Sequence, residues 1–578
     1  MTDNRKDKLP TGIAAPQSLR LWPGIIIVAL QWLIRYVIPQ FVPGTVEIGM
    51  LAGPAGWLLV ALWWAFFSRA PRLERWAVVI LMIMTIIATP FILHESIATG
   101  FQGAMFAIIA TPYISLAFVT WAVVSPRLSE GTRRLTMVAT VLVVCSAWAL
   151  LRSDGITGSG GVEFTWRWTE SHEAILLALN TDEPMTSQPV HIPVDQDAEW
   201  PGFRGPLRDG IVRGSQISTD WFAAPPREIW RRPIGPGCSS FAVLGTVLYT
   251  QEQRGDAEVV TCYTMNTGEP VWRHADKARF WDSHAGAGPR STPAVSSGRV
   301  YTMGATGILN ALDAADGTLL WSRNAATDLD AKIPEWGLAS SPLVLNDMVV
   351  AAVTGTMIAY DLITGDQRWI GPDGGKGYSS PHLLTIDGVD QILLMSETGA
   401  TSLAPADGTL LWEHRWPKER IVQPTLIAEG ELLISAGDGF GIRRIAVTHS
   451  SDGWTVEERW TSDELNPIFN DSVVHEGYAY GFDGLRLVCI DIADGQRQWK
   501  GDHNGGQILL LAEQGLLLVL TEMGELVLIK ATPDEYTELT RLQAIEGKTW
   551  NHPVLVDDVL LIRNTQEMAA YRLSRVAG

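Results

Sequence analysis

A Gly followed four residues later by Trp recurs through the second half of the chain, at Gly268/Trp272, Gly317/Trp321, Gly365/Trp369, Gly408/Trp412 and Gly495/Trp499. The Gly closes a turn after a short apolar strand, as in ALDAADGTLLW (311–321), AYDLITGDQRW (359–369) and CIDIADGQRQW (489–499). Asp-Gly and Thr-Gly suit such turns because Gly takes positive φ without steric cost. A looser copy, SDGWTVEERW (451–460), adds a sixth. A second signal runs in step with the first, a small polar step into a strand: SSF (239–241), STP (291–293), SSP (340–342), SSP (379–381), VQP (422–424), NDS (470–472), GGQ (505–507) and NHP (551–553). Eight entries, each followed by short β-branched runs without helical patterns between them, predict eight four-stranded units arranged as a β-propeller. The eighth unit reaches only three strands. REIWRR (227–232), with Trp230 at the outer-strand Trp position, is expected to supply the fourth and close the ring, which removes an exposed sheet edge.

Ahead of the repeat lie five apolar runs: Leu21–Ile38, Gly49–Phe67, Trp76–Leu93, Ala104–Val124 and Leu135–Leu151. Each approaches the roughly 20 residues an α-helix needs to cross a bilayer. Arg35 interrupts the first run and four more follow, which argues against a cleaved signal peptide. Arg5, Lys6, Lys8 and Arg20 precede the first span. Arg69, Arg72 and Arg75 fill the second loop, and Arg127, Arg133 and Arg134 the fourth. The first and third loops hold no Lys or Arg, so the positive-inside rule puts the N-terminus in the cytoplasm and everything after Leu151 outside it. The expected division is a five-helix membrane domain (1–152), a linker and lead-in (153–225) and an all-β eight-bladed propeller (226–578). In the lead-in, GITGSGG (155–161) and Pro184–Pro193 read as linker and WPGFRGPLRDG (200–210) as a packed segment. The expected location is the inner membrane of a bacterium, with the propeller in the periplasm. Residues 1–152 carry 12 Lys and Arg against 6 Asp and Glu, whereas the remaining 426 carry 32 against 57. An acidic globular part argues against a nucleic-acid partner, whose phosphates need Lys and Arg.

The strand-turn-Trp repeat resembles the pyrroloquinoline-quinone (PQQ) propeller repeat over about residues 226–572. The segments WPGFRGPLRDG, GFDG, EGKTWN and RNTQEMAAY also look like a bacterial family of PQQ-like propellers similar to the outer-membrane assembly lipoprotein BamB. Five spans followed by such a propeller is similar, in layout, to membrane-bound PQQ glucose dehydrogenase, whose helices serve electron transfer to ubiquinone. Two departures stand out. BamB is attached through an N-terminal Cys, but here the first Cys is Cys145; and the adjacent Cys-Cys pair of many PQQ alcohol dehydrogenases is missing.

The sequence holds no CxxC, GxSxG, HExxH or phosphate loop. Cys262 and Cys489 sit six residues before a turn Gly, where a small buried side chain is wanted. Asp313/Asp316 and Asp491/Asp494 read as turn formers, not calcium ligands. Candidate site residues sit at or beside the strand entries, which line a propeller's central channel: Arg290, Glu335, Trp336, Tyr378, His382, Gln423, Asn470, Asp471, Lys548, Trp550 and Asn551. The resemblance implies roles for some of them, if the cofactor is PQQ with Ca²⁺. Trp336 or Trp550 would stack on the ring system, and Arg290 and Lys548 would pair its carboxylates. Glu335 and Asn470 would hold the ion, and Asp471 would be the general base. The bland alternative is that polar channel residues bond one another. In the membrane domain, Arg35, His94 and Glu95 are the charged or polar positions that a quinone site would draw on. The expected function is a membrane-anchored binding or scaffold propeller with an envelope protein partner. The alternative is a PQQ- and calcium-dependent dehydrogenase of sugars or alcohols passing electrons to quinone.

Overall fold

The computed structural model describes residues 19–575 apart from 43–44, 159, 180–196, 419–420, 438 and 502–504. The expected positive charges at Arg5, Lys6 and Lys8 and the Pro184–Pro193 linker lie outside the described residues. Internal contacts divide the chain into two units: Met1–Gly155 with Val162–Thr169, and Ile156–Gly161 with Glu170–Gly578.

Among the described residues of the first unit, five helices are long and apolar enough to cross a membrane: Trp22–Phe41, Ile48–Phe67, Arg72–Phe91, Met105–Arg127 and Glu130–Leu150. The third starts four residues earlier than its apolar run because Pro71 precedes it in an extended conformation and leaves Arg72 to open the helix. Gly53 lets the second and fourth helices meet, since a Cβ there would lie 2.6 Å from the Ile108 carbonyl oxygen. Trp64 is fully buried between them, edge-on to Phe118 at 5.0 Å and Trp121 at 5.9 Å. At the end carrying the basic loops, the buried Glu74 carboxylate accepts from both Arg133 and Arg134, tying the third helix to the fifth. Leucines and isoleucines such as Leu51, Ile87 and Leu135 face outward, as they do in helices solvated by lipid.

The second unit is an eight-bladed propeller. Seven blades follow one another as four-stranded antiparallel meanders (Ala242–Asp276, Ala294–Asn324, Leu343–Ile370, His382–Arg415, Thr425–Ser462, Val473–Lys500 and Gly506–Gln543), the seventh gaining a fifth strand from the lead-in. The eighth takes three strands from Val554–Arg572 and its outermost from Arg227–Pro233, with Ala570 opposite Trp230. The two ends of the propeller sequence thus share one sheet, as the position of Trp230 implied.

The Gly-Trp spacing has a steric cause. At Gly268, Gly317, Gly365, Gly408 and Gly495, φ lies between +67° and +74°, and a Cβ would sit 2.4–2.8 Å from the Trp ring of the preceding blade. That Trp lies flat on the glycine, and its indole N–H donates to a carbonyl of the next blade. The bonds run from Trp230 to Met265, Trp272 to Ala314, Trp321 to Leu362, Trp369 to Pro405, Trp460 to Ile492 and Trp499 to Thr532, at 2.7–3.2 Å. The looser copy departs from this scheme. Gly453 turns a long hairpin, Gly441–Ser450 with Gly453–Ser462, and nothing lies near it. Trp412 of blade four bonds Gln391 of its own blade instead.

Candidate functional site

The small polar residues at the strand entries form a ring of bonds around the channel. In five successive junctions a backbone N–H donates to a side-chain oxygen of the next blade: Ser240 to Thr292 (3.0 Å), Thr292 to Ser341, Ser341 to Ser380 and Ser380 to Gln423 (2.9 Å each), and Gln423 to Asp471 (2.8 Å). In the other three a side-chain amide donates to the next blade's carbonyl: Asn470 to Gly506 (2.5 Å), Gln507 to Trp550 (3.1 Å) and Asn551 to Ser239 (2.7 Å). Every junction is bridged at least once, which satisfies backbone groups that would otherwise be buried unpaired. Four candidate residues, Gln423, Asn470, Asp471 and Asn551, therefore hold the ring together. His382 joins it through a 3.2 Å contact with Gln423, and burial pushes its imidazole down to about 3, so it is neutral.

One end of the channel, where first and second strands turn, is filled by the lead-in. Trp200 pairs with Val243 of blade one, and Ile211–Val212 adds a parallel strand inside blade seven. Between them, Arg204 donates to the Ser472 carbonyl (2.8 Å) and lies 3.5 Å from Asp471, while Arg208 donates to the carbonyls of Ser341, Pro342 and Pro381. Both guanidiniums are buried, and burial draws that of Arg208 down to about 9. The packed reading of WPGFRGPLRDG thus has its cause in two arginines that gather carbonyls from blades three, four and six. His552, 3.7 Å from Asp471, is pushed down to about 4 by burial.

The other end carries the remaining candidates. All five N–H groups of Arg290 have acceptors: the Trp336 carbonyl (3.3 Å), Ala287 (3.2 Å), Gly288 (2.8 Å), Gly286 (2.6 Å) and the Asp282 carboxylate (2.5 Å). Its face lies over Phe280. Trp336 packs between His284 (5.8 Å) and Tyr378 (5.1 Å), and Glu335 beside it is exposed. Across the mouth, the Lys548 ammonium lies 4.2 Å from the Trp550 ring centre and donates to the carbonyls of His284 (2.5 Å) and Ile156 (3.4 Å). Burial lowers its pKa. The Trp550 indole donates to Glu522 at 2.6 Å and its ring meets Phe469 at 4.9 Å. The structure thus brings Arg290, Trp336, Lys548 and Trp550 to one mouth and puts Asn470 and Asp471 into the ring.

Glu522, Asp282, His284 and Phe469 escaped the sequence reading. They lie in turns and loops outside the small-polar entries, and only the ring order makes them neighbours. Ile156 and Gly158, in the stretch read as linker, also reach this mouth. The Gly158 N–H donates to Glu522 (2.7 Å), and a Cβ on Gly158 would lie 3.0 Å from Leu485 and 3.3 Å from Phe469.

Arg290 and Asn470 do not suit the roles that the resemblance implies for them, a carboxylate partner and an ion ligand. A tricarboxylate quinone needs free cations, and Arg290 has no N–H left to give. The buried Asn470 Oδ1 lacks a partner, but its carboxamide is held to blade seven. Among the described residues no group of three or more His, Cys, Asp or Glu side chains could hold a metal ion. All four cysteines are free thiols. In the helical unit, Arg35 lies in a π-helical turn, Leu33–Val37, over Tyr36. His94 caps the short helix Glu95–Ala98, and Glu95 is exposed.

Comparison with known proteins gives the same picture of the repeat. Residues 255–500 match the family model described as "Outer membrane protein assembly factor BamB". The chain is 23% identical over 327 residues to BamB of Yersinia pestis, spanning 52% of this chain and 70% of that protein. It is 27% identical over 153 residues to BamB of Shewanella oneidensis, spanning 25% and 36%. Among solved structures, BamB from Moraxella catarrhalis aligns with a TM-score of 0.45 at 14% identity, over 61% of this chain and 99% of that one. A quinohemoprotein alcohol dehydrogenase from Pseudomonas putida aligns with a TM-score of 0.48 at 14% identity, over 67% and 84%. The chain thus joins five apolar, membrane-type helices to an eight-bladed propeller, of which residues 255–500 are similar to the BamB family model.

Proposed function

We propose that this protein is a recognition propeller of the bacterial cell envelope, anchored in the inner membrane with its N-terminus in the cytoplasm and its propeller in the periplasm. It carries no cofactor, and its partner is another envelope protein. The observation that carries this reading is Arg290: the residue best placed to pair a cofactor carboxylate spends four N–H groups on its own loop and the fifth on the Trp336 carbonyl. The asymmetry of loop charge supports the orientation, and the BamB-like repeat supports an envelope protein as partner. Two experiments test it. Alkaline phosphatase fused after residue 578 is expected to be active and a fusion at Arg72 silent; the reverse pattern overturns the orientation. Photo-crosslinkers on the propeller's exposed rim, for example at Ile370, are expected to trap a discrete envelope protein, and finding none in cells that make the protein contradicts the recognition role.

A further inference from the structure

The mouth opposite the lead-in holds a piece of main chain the way a peptide-binding site would. Ile156–Gly161 belongs to the propeller unit. Two residues of it, Ile156 and Gly158, present their backbone to partners on the propeller. The Ile156 N–H donates to the His284 carbonyl at 3.4 Å, and the Ile156 carbonyl accepts from Lys548. The Gly158 N–H donates to Glu522 at 2.7 Å. The Ile156 side chain is 3% exposed. Gly158 lies against Leu485, Phe469 and Glu522, where a Cβ would make contacts of 3.0–3.4 Å and crowd all three side chains. A half-buried cation for a carbonyl, a buried carboxylate for an N–H, a place for one aliphatic side chain and a close wall that favours glycine are the parts of a site that reads backbone and two side chains.

Resting on the recognition reading above, we propose that this mouth is a peptide-binding site for an extended segment with a large aliphatic residue two positions before a glycine. Ile156–Gly158 is its resident ligand, and a partner's segment of the same chemistry displaces it. Lys548 and Glu522 take the carbonyl and N–H of the incoming chain, and the indole of Trp550 holds the Glu522 carboxylate in place.

The test uses the full chain in detergent and a fluorescein-labelled peptide with the sequence of residues 153–161. In the wild type the tethered segment competes at an effective concentration of order millimolar, which suppresses binding of free peptide. Gly158→Val, which collides with Leu485 and Phe469, is expected to dislodge the segment and tighten peptide binding at least about tenfold. Adding Glu522→Gln and Lys548→Met to Gly158→Val should remove that gain, and a peptide with Val for its Ile-Thr-Gly glycine should not compete. Ile156→Ser serves as a second dislodging variant. In the wild type, millimolar peptide should speed hydrogen exchange at the Ile156 and Gly158 amides. Equal peptide affinity in wild type and a folded dislodged variant, no binding to that variant, or exchange unchanged by peptide overturns the proposal. If rim crosslinks still trap an envelope protein, such a result removes this site and leaves the recognition reading standing.

Discussion

Gly317→Ala isolates the interaction on which the repeat is built. Gly317 has φ +74°, and a Cβ there would lie 2.4 Å from Trp272 Cε3, so Ala brings two penalties at once. Left-handed backbone costs about 1–2 kcal/mol in any L-residue. The displaced indole also loses its 2.9 Å bond to Ala314, about 1 kcal/mol, and part of the packing of a side chain that is 5% exposed, about another 1–2. The sum is about 3–5 kcal/mol. Gly484→Ala is the control: φ is +61° and nothing lies within 4 Å, so it meets the backbone penalty alone. Urea unfolding of the full chain in detergent, followed by Trp fluorescence, should show Gly317→Ala losing at least about 2 kcal/mol more than Gly484→Ala. In the Trp272→Ala background this excess should vanish. Equal losses at the two glycines, or an excess that survives without Trp272, would refute the reading of the Gly-Trp spacing as an inter-blade dock.

Arg290→Ala strands the Asp282 carboxylate, itself buried, and is expected to destabilise the propeller by about 3–5 kcal/mol in the same assay; a loss under 1 would show the guanidinium is not structural. Glu258 is buried, accepts the Ala305 N–H and lies close against Gly304, and burial raises its carboxyl to about 7. A carboxyl raised on folding keeps its proton longer in the native state, so its contribution is full below the unfolded value near 4.5 and fades as pH climbs to about 7, by about 3 kcal/mol. The buried neutral imidazoles of His382 and His552 act in the opposite sense below pH 6.5, so the test is a difference: from pH 4 to 8 the wild type should lose stability relative to Glu258→Gln, and a difference that does not change with pH refutes the assignment. Deleting 227–233 should leave blade eight with an exposed edge and drive self-association visible in light scattering, whereas a monodisperse product would contradict ring closure by that strand.

The architecture was legible because two periodic signals, each with a local cause, ran in register. The glycine turns show the positive φ that the Trp docks require, and the small polar entries mark the innermost strands. Even the closing strand could be read, from Trp230. The site was less legible. Asn470, Asp471 and Gln423 look chemical in sequence because they break a run of serines, yet they do what the serines do, bridging one blade to the next. Arg290 invites a ligand until the loop 280–288 folds back around it. GITGSGG has linker composition, and nothing local says that Ile156 is buried or that Gly158 meets Glu522, 364 residues away in sequence. Contacts made across the ring leave no period to detect.

The most direct measurement is a titration of PQQ, with and without Ca²⁺, into the full chain in detergent, followed by Trp fluorescence and calorimetry. With Arg290 fully bonded and Lys548 held to main-chain carbonyls, no saturable signal is expected in a sample whose unfolding transition shows it intact. Saturable, Ca²⁺-dependent quenching that is lost in Lys548→Met would contradict the account and make the mouth a cofactor site.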